Sequence, residues 1–188
     1  MDDPFAVKEL RIRQPAKVLA GRARYDIYDP ARNLLAIAAE TDARSMLHTM
    51  ASLVPNTRVL AVRSPLGDPM YQLVKRDSDW LTDIKDANGT LVGRIRTEAS
   101  RRHYTLLDPA DEVIGEAAGD LAVKQLIIGG PQGERYARLR KTWAGLGKEL
   151  LTSSDHYTIT FTGPVPPPVR TLIVMLSIVL DMTRHGPY

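Results

Sequence analysis

Hydrophobic and polar residues alternate along most of the chain, and clusters of Asp, Pro, Asn and Gly interrupt the alternation at short intervals. The first clear unit runs from Ala23 to Glu40. One alternating run enters a turn at Asp29, Pro30 and Asn33, and a second leads out. That is the pattern of a β-hairpin with turn chemistry at its tip. It recurs over Trp80 to Arg96, where Asn88-Gly89 is a strong short-range hairpin signal, and over His103 to Gly119 around Asp108-Pro109. Asp86 and Asp108 stand 22 positions apart, as do Gly93 and Gly115.

Looser versions of the unit fill the gaps. Arg58 to Arg63 and Met70 to Lys75 flank the turn residues Ser64 to Pro69. Leu121 to Ile128 and Glu134 to Lys141 flank Gly129 to Gly133, and a Ser-Ser-Asp turn separates Lys148 to Leu151 from His156 to Phe161. Phe5 to Arg13 alternates loosely, as an extra strand or a tail. The chain therefore reads as an arm over 1–19 and a single domain over 20–188. About twelve strands in succession with short turns favour an antiparallel sheet closed into a barrel, because closure removes exposed edges.

Three intervals depart from strand spacing. Over 41–54, Met46, Leu47, Met50, Leu53 and Val54 fall at helical spacing. Thr41 or Asp42 can cap that helix and Pro55 can stop it, which predicts an amphipathic helix resting on the barrel. Gly163-Pro-Val-Pro-Pro-Pro168 reads as a stiff extended connector rather than a peptide ligand. Beyond it, only Ser177 interrupts the apolar run from Leu172 to Leu180. A helix that is apolar all round is buried on every side. At about 1.5 Å per residue, Val169 to Met182 reaches only roughly 21 Å, short of the ~30 Å of hydrocarbon in a bilayer, and Asp181 and Arg184 close the run. The segment 170–183 is therefore predicted as a helical plug inside the barrel, with Leu172, Ile173, Met175, Leu176, Val179 and Leu180 in the core.

The totals narrow the function classes. With 44% hydrophobic and 25% charged residues, the 188-residue chain has the balance of a globular protein able to bury a core without disulfides. The absence of cysteine excludes disulfides, cysteine-ligated zinc, thiol catalysis and palmitoyl anchoring. Acid at Asp2 and Asp3, with no long apolar run after it, is unlike a secretory signal, so a cytoplasmic protein is expected. No zinc-protease, nucleophile-elbow, P-loop or dinucleotide glycine pattern is present. His48, His103, His156 and His185 are scattered, and Asp77 and Asp79 sit in a polar turn. No catalytic residues, and no cofactor, are assigned.

The net charge of +3 is mildly basic and admits anionic partners. Arg94 and Arg96 fall on one side of a strand, opposite Leu91, Gly93 and Ile95, with Arg101 and Arg102 opening the next. Arg138 and Arg140 alternate against Ala137 and Leu139, with Lys141 and Lys148 following. Outward arginines can cradle phosphate through the planar guanidinium fork, although they also suit an ordinary solvated barrel wall balanced by Glu98, Glu112, Glu116 and Glu134. Trp80 and Trp143 are read as core or rim aromatics.

The end of the chain resembles a known family. Arg138-Leu-Arg-Lys-Thr-Trp143-Ala-Gly, the turn at Asp155, the aromatic strand His156-Tyr-Thr-Ile-Thr-Phe161 and an apolar helix ending in Leu180-Asp181 resemble the tubby C-terminal-like superfamily. The phospholipid scramblase and LURP-one-related branches are nearest. The opening hairpin, with Tyr25, Ile27 and Asp29 and then Ala39-Glu40, is similar as well, so the resemblance covers roughly Ala20 to Arg184. It implies a twelve-stranded barrel filled by its C-terminal helix. It also implies binding of anionic or phosphoinositide lipid, calcium-dependent scrambling, or defence and stress roles. The scramblase calcium segment, rich in Asp, is here Ser153-Ser-Asp155-His-Tyr157, with Asp155 as the one candidate metal ligand. Calcium takes about six to eight oxygen ligands, so no metal is expected.

The sequence thus predicts a mainly β protein, a twelve-stranded antiparallel barrel enclosing a hydrophobic helix. Its expected role is to bind anionic phospholipid headgroups non-enzymatically at the inner face of the plasma membrane, without calcium-dependent scrambling. The alternative is a cytoplasmic scaffold for a protein partner or nucleic acid. Nucleic acid is the less favoured because Tyr104 and Tyr136 are the only stacking aromatics near the arginines. A small apolar ligand beside the plug helix is a third, minor reading.

Overall fold

Five hairpin turns share one backbone device. In Asp29–Asn33, Ser64–Asp68, Asp86–Thr90, Asp108–Glu112 and Gly130–Glu134, the first N–H donates to the fifth carbonyl and the fourth N–H donates to the first carbonyl. The fourth residue is left-handed in each: Arg32 (φ 69), Gly67 (φ 95), Gly89 (φ 83), Asp111 (φ 66) and Gly133 (φ 88). The strand pairing slips by one residue just before each turn. A tight turn followed by an αL residue and a bulge is the usual three-residue hairpin loop. The Asn88-Gly89 pair therefore does not supply two left-handed residues; only Gly89 is left-handed. The carboxylates of Asp86 and Asp108 each accept two backbone N–H groups, and Asp29 accepts both the N–H and the side-chain amide of Asn33. The 22-residue spacing is the length of one hairpin unit, since Gly67, Gly89, Asp111 and Gly133 follow one another at that interval.

The computed structural model describes residues 4–15, 23–41, 57–76, 80–100, 102–120, 124–142 and 156–184. The helix expected over 41–54 lies outside them except for Thr41. Arg101, Trp143, Lys148 and Asp155 also lie outside. The strands are β1 (Glu9–Arg13), β2 (Arg24–Tyr28), β3 (Leu34–Glu40), β4 (Thr57–Arg63), β5 (Pro69–Arg76), β6 (Leu81–Asp86), β7 (Leu91–Thr97), β8 (His103–Leu107), β9 (Val113–Gly119), β10 (Gln125–Gly129), β11 (Arg135–Thr142) and β12 (His156–Phe161). One helix, α1 (Pro167–Arg184), follows. Every neighbouring pair is antiparallel, and β1 closes the barrel by pairing with both β2 and β12.

Strand alternation sends one face inward. Leu10, Ile12, Tyr25, Ile27, Leu60, Leu73, Ile84, Ile95, Leu106, Leu126 and Ile159 are all buried there. They meet α1, where Leu172, Ile173, Met175, Leu176 and Val179 are wholly buried and Leu180 is nearly so. Ser177 is buried without penalty because its hydroxyl donates to the Val174 carbonyl at 2.7 Å, one turn back along its own helix. The helix begins three residues earlier than its apolar run predicts. Pro167 and Pro168 belong to the first turn, where a fixed φ suits the helix and a missing N–H costs nothing, and the Arg170 N–H bonds the Pro166 carbonyl at 2.9 Å. Beside α1, Gly93 leaves room for Leu172; a Cβ there would stand 2.9 Å from the Leu172 Cδ1.

Both ends of the barrel are tied to the helix. At the end where α1 begins, the wholly buried Phe5 stacks on Tyr71 with ring centroids 6.1 Å apart. Arg170 donates to the Phe5 and Val7 carbonyls at 3.1 and 3.0 Å and lies 4.1 Å above the Phe161 ring. At the other end the buried Asp181 accepts from Tyr25 and Gln14.

Candidate functional site

The outer wall carries the basic residues that the sequence singles out, but in two groups. Arg94 and Arg96 lie on β7 and Arg138 and Arg140 on β11, with β8, β9 and β10 between them. Four strand spacings of about 4.8 Å put roughly 19 Å of wall between the groups. Arg102 is exposed in the β7–β8 connection, on the side of the first group.

Charge pairing sets Arg94 apart, whereas Arg96 is exposed and, among the described residues, has no ion-pair or hydrogen-bond partner. Arg94 bonds Asp83 through Nε at 3.1 Å and Asp111 through Nη1, and the bond to Asp111 above all holds its guanidinium charged. Among the described residues, neither Arg138 nor Arg140 has an ion-pair or hydrogen-bond partner, and both are exposed. Lys141 does not join them. It falls on the inward phase of β11, and its ammonium sits 5.7 Å over the ring of the buried Tyr157.

What lies beside Arg138 and Arg140 follows from closure of the barrel. In register, Arg140 faces Thr158 of β12 and Thr158 faces Arg11 of β1; one row along, Arg138 faces Thr160 and Thr160 faces Glu9. The strand His156–Phe161 alternates Tyr157, Ile159 and Phe161 into the core, which leaves Thr158 and Thr160 on the outer wall. The result is a depression of about 510 Å³ lined by Glu9, Arg138, Arg140, Thr158, Thr160 and Thr162. Arg11 holds the Glu9 Oε1 at 3.0 Å, and Thr162 donates its hydroxyl to the Arg135 carbonyl at 2.7 Å.

Guanidinium forks over a floor of hydroxyls are the donor set for a phosphate oxygen, since both offer N–H or O–H groups at hydrogen-bond reach and arginine adds charge. Glu9, Thr158 and Thr160 are not legible as site residues in the sequence. The outward phase of Thr158 and Thr160 can be read from the alternation, but the neighbourhood of all three to Arg138 and Arg140 cannot. Among the described residues no three of His, Asp and Glu come together to hold a metal ion, and no helix is long and apolar enough to cross a membrane.

The Scramblase family model matches residues 22–185. The chain belongs to the Scramblase family. The match begins just before β2 and ends just after α1, so β1, with Glu9 and Arg11, lies before the matched region. No curated protein matches the sequence. The X-ray structure of a protein from Arabidopsis thaliana is similar in fold, with a TM-score of 0.59, 12% identity, and coverage of 98% of this chain and 97% of that one. The tubby-like barrel filled by its C-terminal helix is thus the architecture of this Scramblase-family chain.

Proposed function

We propose that this Scramblase-family barrel is a non-enzymatic module that binds the phosphate of anionic phospholipid headgroups, at the inner face of the plasma membrane, through the β11–β12–β1 wall. The observation that carries the proposal is the pair Arg138 and Arg140, exposed and without ion-pair partners among the described residues, above the hydroxyls of Thr158 and Thr160 in one depression. Membership of a family named for lipid scrambling supports a lipid ligand. Among the described residues no aromatic ring lines the depression, which disfavours the stacking of nucleic-acid bases there. The reading assigns no role to calcium.

Each cation near an anionic surface contributes about 1 kcal/mol, so binding by this wall is reversible and salt-sensitive. Co-sedimentation with phosphatidylcholine vesicles, with and without an anionic lipid and over a salt series, tests the proposal. The expected result is recovery on anionic vesicles only, falling as salt rises and unchanged by calcium or chelator. Replacing Arg138 and Arg140 together by Gln should weaken it by about thirtyfold, the loss of two such contributions. Equal recovery on neutral and anionic vesicles overturns the reading.

A further inference from the structure

Glu9 has no place in a site built only for anions. It lines the same depression as Arg138 and Arg140, one strand beyond Thr160, and presents a carboxylate where a second phosphate of a polyanionic headgroup would lie. Arg11 takes one of its oxygens, Oε1, and Glu9 is the β1 residue that lines the trough. The β11 wall is doubly cationic, the β1 wall carries the Glu9 carboxylate, and threonine hydroxyls lie between.

The walls are two strand spacings apart, about 10 Å between backbones, and both reach inward with flexible side chains. A ligand complementary to that pattern carries a phosphate at one end and a compact cation a few bonds away. We infer that the trough selects phosphate esters bearing a primary ammonium, as in the ethanolamine headgroup, over those bearing choline. The phosphate lies against Arg138, Arg140 and the Thr158 hydroxyl, and the ammonium donates to Glu9 and the Thr160 hydroxyl. A quaternary ammonium has no N–H to donate, and its methyl groups hold the charge away from the carboxylate. The inference rests on the phosphate-binding reading above and adds the residue that chooses among phosphates.

The test uses the full chain and two vesicle sets with the same minor fraction of phosphatidylglycerol. One set has phosphatidylethanolamine in its remainder and the other only phosphatidylcholine. Wild-type protein should partition about fivefold more strongly onto the ethanolamine vesicles, the effect of one partly exposed ion pair. Glu9→Gln should abolish that preference, bringing the ratio between the two vesicle sets to about one. Ethanolamine lipids also change bilayer packing, so a preference that survives in Glu9→Gln overturns the inference. So does equal partitioning of the wild type, or a gain by Glu9→Gln on both sets alike, which marks Glu9 as mere repulsion. Competition by free phosphoethanolamine but not free phosphocholine identifies the headgroup rather than the bilayer as the ligand. If wild-type protein sediments with neither set, it is the phosphate reading itself that fails. Matching melting curves for wild type and Glu9→Gln show that the barrel is intact.

Discussion

The Tyr25 hydroxyl donates to the Asp181 Oδ2 at 2.6 Å, joining β2 to the last turns of the central helix across 156 positions of sequence. A carboxylate near a helix C-terminus opposes the helix dipole, so the α1 dipole does not favour the Asp181 charge. From the barrel it accepts hydrogen bonds from Tyr25 and from Gln14, just beyond β1, at 3.0 Å. The Tyr25 contact ties the last turns of α1 to β2.

Removing that hydroxyl should be costly. Tyr25→Phe takes a donor from a buried carboxylate and is expected to destabilise the fold by about 1–3 kcal/mol at neutral pH, measured by urea unfolding. Burial first, and the Asp181 charge second, hold the Tyr25 hydroxyl well above its ordinary value of 10.0. The fold therefore favours the protonated phenol. That contribution is fully present below pH ~10 and declines as pH rises further, because the unfolded chain sheds a proton that the native chain keeps. The slope is about 1.4 kcal/mol per pH unit for this group, and Tyr25→Phe should lack it. Identical alkaline limbs in the two proteins would count against the assignment.

Arg94 is the control for the lipid surface. Its charge is already met by Asp83 and Asp111, so Arg94→Gln should leave vesicle recovery unchanged, in contrast to the Arg138 and Arg140 double variant. The side chain is a quarter exposed, so the loss in stability should stay below about 1 kcal/mol. A loss of adsorption equal to that of the β11 variant would move the site to β7.

Gly93 should tolerate no side chain. A Cβ there meets the Leu107 backbone oxygen, which cannot swing aside, as well as Leu172 of the helix. Gly93→Ala is expected to cost about 1–3 kcal/mol, and trimming Leu172 to Val should not restore it, because the backbone contact remains. Thermal melting of the single and double variants reads both effects.

Arg32 should be improvable. It occupies the left-handed position that Gly67, Gly89 and Gly133 fill in the sister turns, and its conformation costs about 1 kcal/mol in a residue with a Cβ. Arg32→Gly should raise the melting temperature by roughly 2–4 °C. The same change at Asp111 should gain less, because the Asp111 carboxylate also bonds Arg94.

Phe5 should act as a stopper for the end of the barrel where α1 begins. It is wholly buried against Tyr71 and its carbonyl is held by Arg170, so Phe5→Ala is expected to lose about 3–5 kcal/mol. A loss below 1 kcal/mol, within the range of surface substitutions, would show that the first residues contribute little to the core.

Most of the barrel was legible because its instructions are local. Alternation at every second residue fixed which side of a strand is apolar, as in His156–Phe161, and the turn residues at Asp29, Asp86 and Asp108 marked where each strand reverses. The apolar run from Leu172 to Leu180 could be satisfied only by burial on all sides. Local signals were less sure at element ends: Pro167 and Pro168 read as extended chain, yet they occupy the first turn of α1, where proline is tolerated.

The candidate site is a different matter. Sequence determined that Arg138 and Arg140 point outward from their strand, while it left the segment carrying Glu9 as either a strand or a tail. It did not determine that Arg138 and Arg140 share one depression with Thr158, Thr160 and Glu9, nor that Arg94 is neutralised while Arg138 and Arg140 are not. Only closure of the barrel, which seats β1 beside β12, brings the start of the chain against its end. The physical reason is that periodicity is written in neighbours two residues apart, whereas strand adjacency and charge pairing depend on which distant segments complete the core together.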